Sequence, residues 1–174
     1  DTNRPEWIDK YKDLHKKCPV HSFSDTKQIF YDSFYKPIDS LIDIRDTKPI
    51  ASGSIGQVYI GYLRDTGQKV AIKVKHPNID EQILVPKLIL KCLNFIFRYI
   101  PKLQCYFIPM DMNNVFESIE YQLDFNKESD YMTTMNNLYK DEKYIVVPEL
   151  IMNSTNIIVM SYEKGTFFED IEIS

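Results

Sequence analysis

Three pieces of this chain carry residue types that could do chemistry together. The first is Ala51-Ser52-Gly53-Ser54-Ile55-Gly56-Gln57-Val58, in which small residues open gaps between strand-like segments. Backbone N–H groups in such a gap can approach phosphate oxygens without side-chain interference. Taken alone, a run of this kind is more often a flexible turn. The second is Val70-Ala71-Ile72-Lys73, which follows the turn Arg64-Asp65-Thr66-Gly67. A lysine on the strand after that turn points its ammonium under the loop, toward phosphates, whereas a lysine on an ordinary edge strand is merely solvated. The strand motif after a glycine-containing hairpin is far more specific than the loop. The third piece is a carboxylate, because a phosphate-binding lysine needs an acid on a packed helix to hold its rotamer. Glu128 is the candidate. Glu117 and Glu120 lie on the same predicted helix, and spacing alone does not separate the three from one another or from solvated helix-face acids.

These residues must be positioned by regular elements. From residue 4 to about 41 the pattern reads as two short helices split at Cys18-Pro19. Trp7, Tyr11 and Leu14 line the first; Ile29, Phe30 and Phe34 line the second, capped by Ser24 or Asp25. Between 49 and 74, Val58, Ile60 and Tyr62 and then Val70, Ile72 and Val74 alternate around the turn, which predicts a hairpin with Gly67 at positive φ. After His76-Pro77-Asn78 a helix is predicted to about residue 100, ended by Pro101. A second long helix is predicted over 111–138, with Val115, Ile119 and Leu123 on one face and Asp124 and Glu128 close by. Residues 144–147 and 157–162 read as strands around the polar turn Asn153-Ser154-Thr155-Asn156. The order helices, hairpin, helices, hairpin is that of an α+β fold. It divides into a helical extension over 1–47 and a sheet-bearing domain over 48–174.

Composition narrows the function classes. A net charge of −4 over 174 residues argues against a nucleic-acid partner, which requires a clustered basic face. Cys18, Cys92 and Cys105 are odd in number and form no CxxC pair, so neither a disulfide framework nor a zinc site is expected, and a reducing intracellular compartment is. His15, His21 and His76 form no HxxxH pair and read as surface or loop residues; no metal ligand is assigned. No basic and apolar leader follows Asp1, so neither a signal nor a transit peptide is expected. The apolar stretch 84–100 contains Pro86, Lys87, Lys91 and Arg98, costly in lipid, and reads as a buried or interfacial helix.

Pro49-Ile50 leading into the small-residue loop, Val70-Ala71-Ile72-Lys73-Val74-Lys75-His76-Pro77, Gln122-Leu123-Asp124-Phe125-Asn126-Lys127-Glu128 and the run 157–162 occur in the order seen in UbiB-like (aarF-domain) atypical protein kinases, which the chain resembles over nearly its whole length. The resemblance implies a protein-kinase-like N-lobe: an antiparallel sheet of about five strands, a C-type helix bearing Glu128, and family-specific helices before and between. It implies that Ala51, Ser52, Gly53, Ser54, Ile55 and Gly56 cover ATP or ADP and that Lys73 pairs with Glu128. Adenine would stack near Val58 and Ala71 and hydrogen-bond to the hinge after Met160, at Ser161 and Tyr162. Met160 as gatekeeper stands beside Met160 as an ordinary buried strand methionine. For the whole protein it implies ATPase or kinase-like action in isoprenoid-lipid or quinone homeostasis, with a possible membrane or lipid association.

The departures matter. Gly53 stands where the family usually has alanine, giving the loop more backbone freedom. Gln122 replaces the first acid of the family's E-x-D motif and leaves Asp124, and the K-x-G-Q segment associated with that motif would lie upstream of Asp1. Asp124-Phe125-Asn126 is not a DFG element, because it precedes the hinge strand. The nucleophile-positioning aspartate and the magnesium ligands of a kinase follow the hinge, and the sequence given stops shortly after Gly165. Magnesium is therefore expected only together with a C-lobe or partner chain, and this chain alone is not expected to turn over ATP. Other classes that fit are a truncated pseudokinase and an α+β protein-interaction module that binds no nucleotide.

Overall fold

Alternation of side chains along two strands builds the surface on which everything else sits. The structure, a computed structural model, describes residues 20–99, 102 and 112–165. Its strands are β1 (Ile42–Asp43), β2 (Ala51–Ser52), β3 (Gly56–Leu63), β4 (Lys69–Lys75), β5 (Leu150–Asn153) and β6 (Ile157–Ser161). Its helices are α1 (Phe23–Phe34), α2 (Ile38–Leu41), α3 (Ile79–Tyr99), α4 (Met112–Leu123) and α5 (Phe125–Tyr139). The strands form one antiparallel sheet in the order β1-β3-β4-β6-β5, with β2 paired to the same edge of β3 as β1 but at its other end. The sheet is thus five positions wide, an α+β arrangement of the expected N-lobe kind.

Period-2 alternation gives the sheet two different faces. On one, Tyr59 and Leu63 of β3, Val70, Ile72 and Val74 of β4, and Ile157 and Val159 of β6 pack with Ile42 of β1, Phe30 of α1 and Ile38 of α2. Ile29 and Phe34 pack against this core as anticipated. The segment before residue 48 therefore shares the core of the sheet and contributes strand β1 to it. The other face carries Val58, Ile60, Ala71, Lys73, Ile158 and Met160, and α5 lies against that side of the sheet. The β3–β4 turn forms as predicted, with Gly67 at φ 71° and its N–H bonded to Leu63 O. Gly56 is needed for a different reason: a Cβ there would sit 2.6 Å from the carbonyl oxygen of Val74, a backbone atom that cannot move aside cheaply.

Several local expectations are corrected. The N-cap of α1 is Ser22, not Ser24 or Asp25; Asp25 instead closes a capping box by accepting from the Ser22 N–H while the Ser22 hydroxyl accepts from the Asp25 N–H. The single helix predicted over 111–138 is two helices, because Asp124 leaves the helical region at φ −100°, ψ 100° and caps α5 with its side chain. Residues 144–147 do not form a strand; Tyr144, Ile145 and Val146 are exposed, and the strand lies later, at β5. Tertiary pairing has overridden the β-branched and aromatic propensity of that run. Helix α3 forms where predicted but buries none of its residues, with Leu84, Val85, Leu88 and Phe95 all more than half exposed. None of the described helices is long and apolar enough to cross a membrane. The first predicted helix, with Trp7, Tyr11 and Leu14, lies outside the described residues, as do His15, Cys18, Pro101 and Cys105.

Because Phe30 is fully buried against the sheet, Phe30→Ala should lower stability by about 3–5 kcal/mol through lost burial and a residual cavity. Chemical denaturation of both proteins measures this. A loss below about 1 kcal/mol would mean that α1 is not part of the lobe's core.

Candidate functional site

Lys73 reaches Glu128 because two elements are tied in register. Strand β4 holds Lys73 opposite Val58 of β3 on one side and Ile158 of β6 on the other, so its side chain leaves the face away from α1. Helix α5 is anchored at its first turn. Asp124 accepts from the Asn126 N–H at 3.0 Å, Asn126 accepts from Asn153 and donates to Thr155, and the Phe125 N–H donates to Thr155 O. The start of α5 is thereby fastened to the β5–β6 turn, and Glu128, three residues in from Phe125, falls beneath Lys73.

The resulting pair is bidentate. Lys73 Nζ donates to both carboxylate oxygens of Glu128, at 2.7 and 2.6 Å. The ammonium also lies 4.6 Å from the ring centroid of Phe125, which is fully buried and forms a floor under it. The two side chains are 26% and 41% exposed, so the pair opens to solvent on one side. An ion pair this accessible contributes roughly 0.2–1 kcal/mol to folding, too little to explain it as a structural prop. What the geometry achieves is a fixed ammonium at the edge of an open face.

The alternative acids are elsewhere. Glu120 is bonded to Lys87 of α3, and that hydrogen bond, with the Lys87 charge, holds its carboxyl below the usual carboxylate range. Glu117 is exposed on α4. Gln122 is exposed on the last turn of α4, while Asp124 serves as the cap of α5. The remaining predicted residues fall into three groups. Val58, Ala71 and Met160 share the Lys73 face, with Ala71 paired to Met160 across β4 and β6. Ala51 through Gly56 form a hairpin flap, closed by Gly53 N–H bonded to Gly56 O and by the β2–β3 pairs Ala51 with Val58 and Ser52 with Gln57. Ser161 and Tyr162 continue from β6, where the Ser161 N–H donates to Glu149 O and the Tyr162 N–H to Lys69 O. Met160 is half-buried, and Lys69 Nζ lies 3.7 Å from the centroid of the Tyr162 ring.

Three participants were not anticipated. Phe125 stood within the motif over 122–128 and in a rejected tripeptide, but no role was given to it. Lys75, two residues from Lys73 on the same face, is 4% exposed. Its ammonium donates to Leu123 O at 2.8 Å and pairs with Asp80 at the same distance, fastening β4 to the break between α4 and α5. The signal for it was the period-2 spacing from Lys73. His76 is buried rather than a surface residue, and its Nε2 bonds to the carbonyl of Gly53 in the flap. Among the described residues, no group of three His, Cys, Asp or Glu side chains is disposed to hold a metal ion.

Comparisons with known proteins identify the family and the fold. The model of the ABC1 atypical kinase-like domain matches residues 13–174. The probable serine/threonine-protein kinase abkC of Dictyostelium discoideum is 30% identical over 162 residues, covering 91% of this chain and 23% of that protein. AarF domain-containing protein kinase 1 of Xenopus laevis is 25% identical, over 97% of this chain and 32% of its own length. The ABC1 family protein MCP2 of Saccharomyces cerevisiae is 22% identical, over 96% and 30% respectively. The chain thus spans between about a quarter and a third of these relatives. Among solved structures, that of Rv3197 in complex with erythromycin from Mycobacterium tuberculosis superposes with a TM-score of 0.70 at 20% identity, over 93% of this chain and 41% of that one, a likeness of fold. With a matched domain running over almost its whole length and the expected lysine, acid and small-residue flap assembled on one lobe, this chain belongs to the ABC1 (UbiB-like, aarF) atypical kinase-like family.

Proposed function

We propose that this chain supplies the adenine-nucleotide cradle of an atypical kinase or ATPase, and that phosphoryl transfer requires a second lobe. The observation that carries this reading is the bidentate Lys73–Glu128 pair beside a small-residue flap. A fixed ammonium can hold the phosphates of ATP or ADP without the cost of ordering it at each binding event. Val58 and Ala71 would bracket the adenine, with Met160 at the back of the pocket. The amides of Ser161 and Tyr162 are already bonded within the fold, so the hinge donor to adenine would come from beyond Tyr162. In this reading residues 48–174 carry the nucleotide face, and the segment before residue 48 completes the lobe with α1, α2 and strand β1. Chemistry at the γ-phosphate would draw its magnesium ligands and its nucleophile-positioning aspartate from a C-lobe or a partner chain. For the whole protein, action in isoprenoid-lipid or quinone homeostasis is the proposal that the family resemblance supports.

Thermal-shift titration tests the cradle. Saturating ATP or ADP should raise the unfolding midpoint, by the equivalent of about 2.7 kcal/mol at a hundredfold excess over Kd. An unchanged midpoint at millimolar nucleotide contradicts the reading.

Lys73→Ala should remove the nucleotide-induced shift while costing the ligand-free protein less than about 1 kcal/mol, because the pair is partly solvated. Equal nucleotide responses in variant and parent would sink the role assigned to Lys73. Glu128→Gln should weaken nucleotide binding by roughly 1–2 kcal/mol, since the lysine loses the charge that orients it. Calorimetric titration with ADP measures that loss.

A further inference from the structure

The flap carries a glycine at its tip, and its conformation is fixed from outside. A glycine can turn its following peptide over without steric cost, and the flap's internal bond, Gly53 N–H to Gly56 O, does not engage the Gly53 carbonyl. His76 does. Its Nε2 lies 2.9 Å from Gly53 O, and its own backbone N–H donates to Ile55 O at 2.8 Å. Behind His76 stands His21, with the two Nδ1 atoms 2.8 Å apart and the rings edge to face. His21 Nε2 meets the hydroxyl of Thr26, Thr26 meets the hydroxyl of Tyr59, and Tyr59 accepts from Gln57 Nε2. Gln57 closes the circuit on the backbone of His21, accepting from its N–H and donating to its C=O.

One assignment of hydrogens satisfies every contact in this chain. At one end the His21 backbone fixes which Gln57 atom is oxygen and which nitrogen, because its N–H can only donate and its C=O only accept. In that assignment Tyr59 donates to Thr26, and Thr26 to His21 Nε2. A neutral His21 therefore carries its proton on Nδ1. At the other end Gly53 O only accepts, so His76 carries a proton on Nε2. The two demands meet at the Nδ1 contact, which needs one hydrogen and receives one. A further proton on either ring would set two hydrogens against each other there or strand one at the buried Tyr59 hydroxyl.

We propose that His76, seated by His21, is a positioning residue that locks the Gly53–Ser54 peptide with its N–H toward the phosphate side of the flap. The proposal rests on the nucleotide reading above. Gln57, Tyr59 and the histidine pair lie on the α1 face of the sheet, opposite the Lys73 face. In a trans peptide the carbonyl and the following N–H point in opposite directions, and no peptide among the described residues is cis. Drawing Gly53 O toward His76 therefore sends the Ser54 N–H toward the Lys73 side, where a phosphate oxygen can accept it. The turned peptide would present a carbonyl oxygen to the same phosphates and repel them. The segment before α1 thereby takes part in shaping the flap although it never reaches that face.

The charges around the pair are Asp25 and Asp32 of α1, Lys75 of β4 and Asp80 of α3, which line a cleft of about 330 Å³ beside His76. Burial, then the neighbouring His76 ring, pushes the His21 pKa from 6.5 down to about 4, against the opposing pull of Asp25. Because the folded value is the lower, the unfolded chain takes the proton first. The stability this contributes is complete above pH 6.5 and is lost as pH falls toward about 4.

Heteronuclear NMR of the histidine rings in the intact chain at neutral pH should find both neutral, with His76 protonated on Nε2 and His21 on Nδ1. A cationic ring, or the other tautomer at His76, overturns the lock. His76→Ala should weaken ADP binding about tenfold and leave adenosine, which lacks the phosphates, unchanged. Equal losses for both ligands, or none for ADP, overturn the positioning role. If the parent binds neither ligand, the nucleotide reading fails and takes the positioning role with it, while the ring tautomers still decide the lock. On acidification from pH 6.5 to 4 the parent's unfolding midpoint should fall more steeply than that of His21→Ala. Parallel profiles contradict a half-buried neutral His21.

Discussion

The elements of this lobe converge on a single ion pair: an ammonium on the middle strand of a sheet meets a carboxylate one turn into a helix. For Lys73 and Glu128 to meet, β4 must lie between β3 and β6 in the observed register, and α5 must start where it does. The first condition follows from alternation, which turns Val70, Ile72 and Val74 into the core and leaves Ala71 and Lys73 on the other face. The second is imposed by polar side chains. Asp124 caps α5, Asn126 and Thr155 join its first turn to the β5–β6 connection, and Lys75 fastens the carbonyl end of α4 to the same strand that bears Lys73. A helix that ran unbroken through Asp124 would not be tied to the sheet at this point.

The two faces of the sheet do different work, and the flap belongs to both. Its small residues leave room on the Lys73 side, while the Gly53 carbonyl is held from the α1 side through two histidines that come from separate parts of the chain. The helix before the sheet is therefore more than cover for apolar residues. Its capping box sets the start of α1, Thr26 in its first turn takes part in the buried polar circuit, and Phe30 fills the core beneath. No buried side-chain nitrogen or oxygen among the described residues lacks a partner, as a low-dielectric network of this kind demands.

Local chemistry was legible in the spacing of residues, and long-range chemistry only where the family resemblance supplied it. The β3–β4 hairpin, Gly67 in its turn, strand β6 and the apolar side of α1 each follow from spacing within a dozen residues. So did the lysine; spacing left Glu128 beside two other acids, and the family resemblance singled it out. The helix break was missed because Val115, Ile119 and Leu123 continue a helical period straight into Asp124, although an aspartate followed by an acid in the next turn is also a helix start. The strand placed over 144–147 was drawn there by Tyr144, Ile145 and Val146, yet Pro148 and the pairing with β6 put it at Leu150–Asn153. The link between His21 and His76 had no signal at all: the residues are 55 apart and neither neighbourhood hints at the other.

Covalent trapping of the lysine examines the cradle most directly. An acyl-phosphate derivative of ATP delivers its acyl group to an amine lying beside the phosphates: the nitrogen attacks the acyl carbon and the nucleotide departs. Peptide mass spectrometry after brief exposure should find Lys73 acylated, with labelling suppressed by excess ADP, and Lys75 unmodified because its ammonium is buried and doubly bonded. Acylation confined to exposed lysines and indifferent to ADP would contradict a nucleotide-binding face at this ion pair.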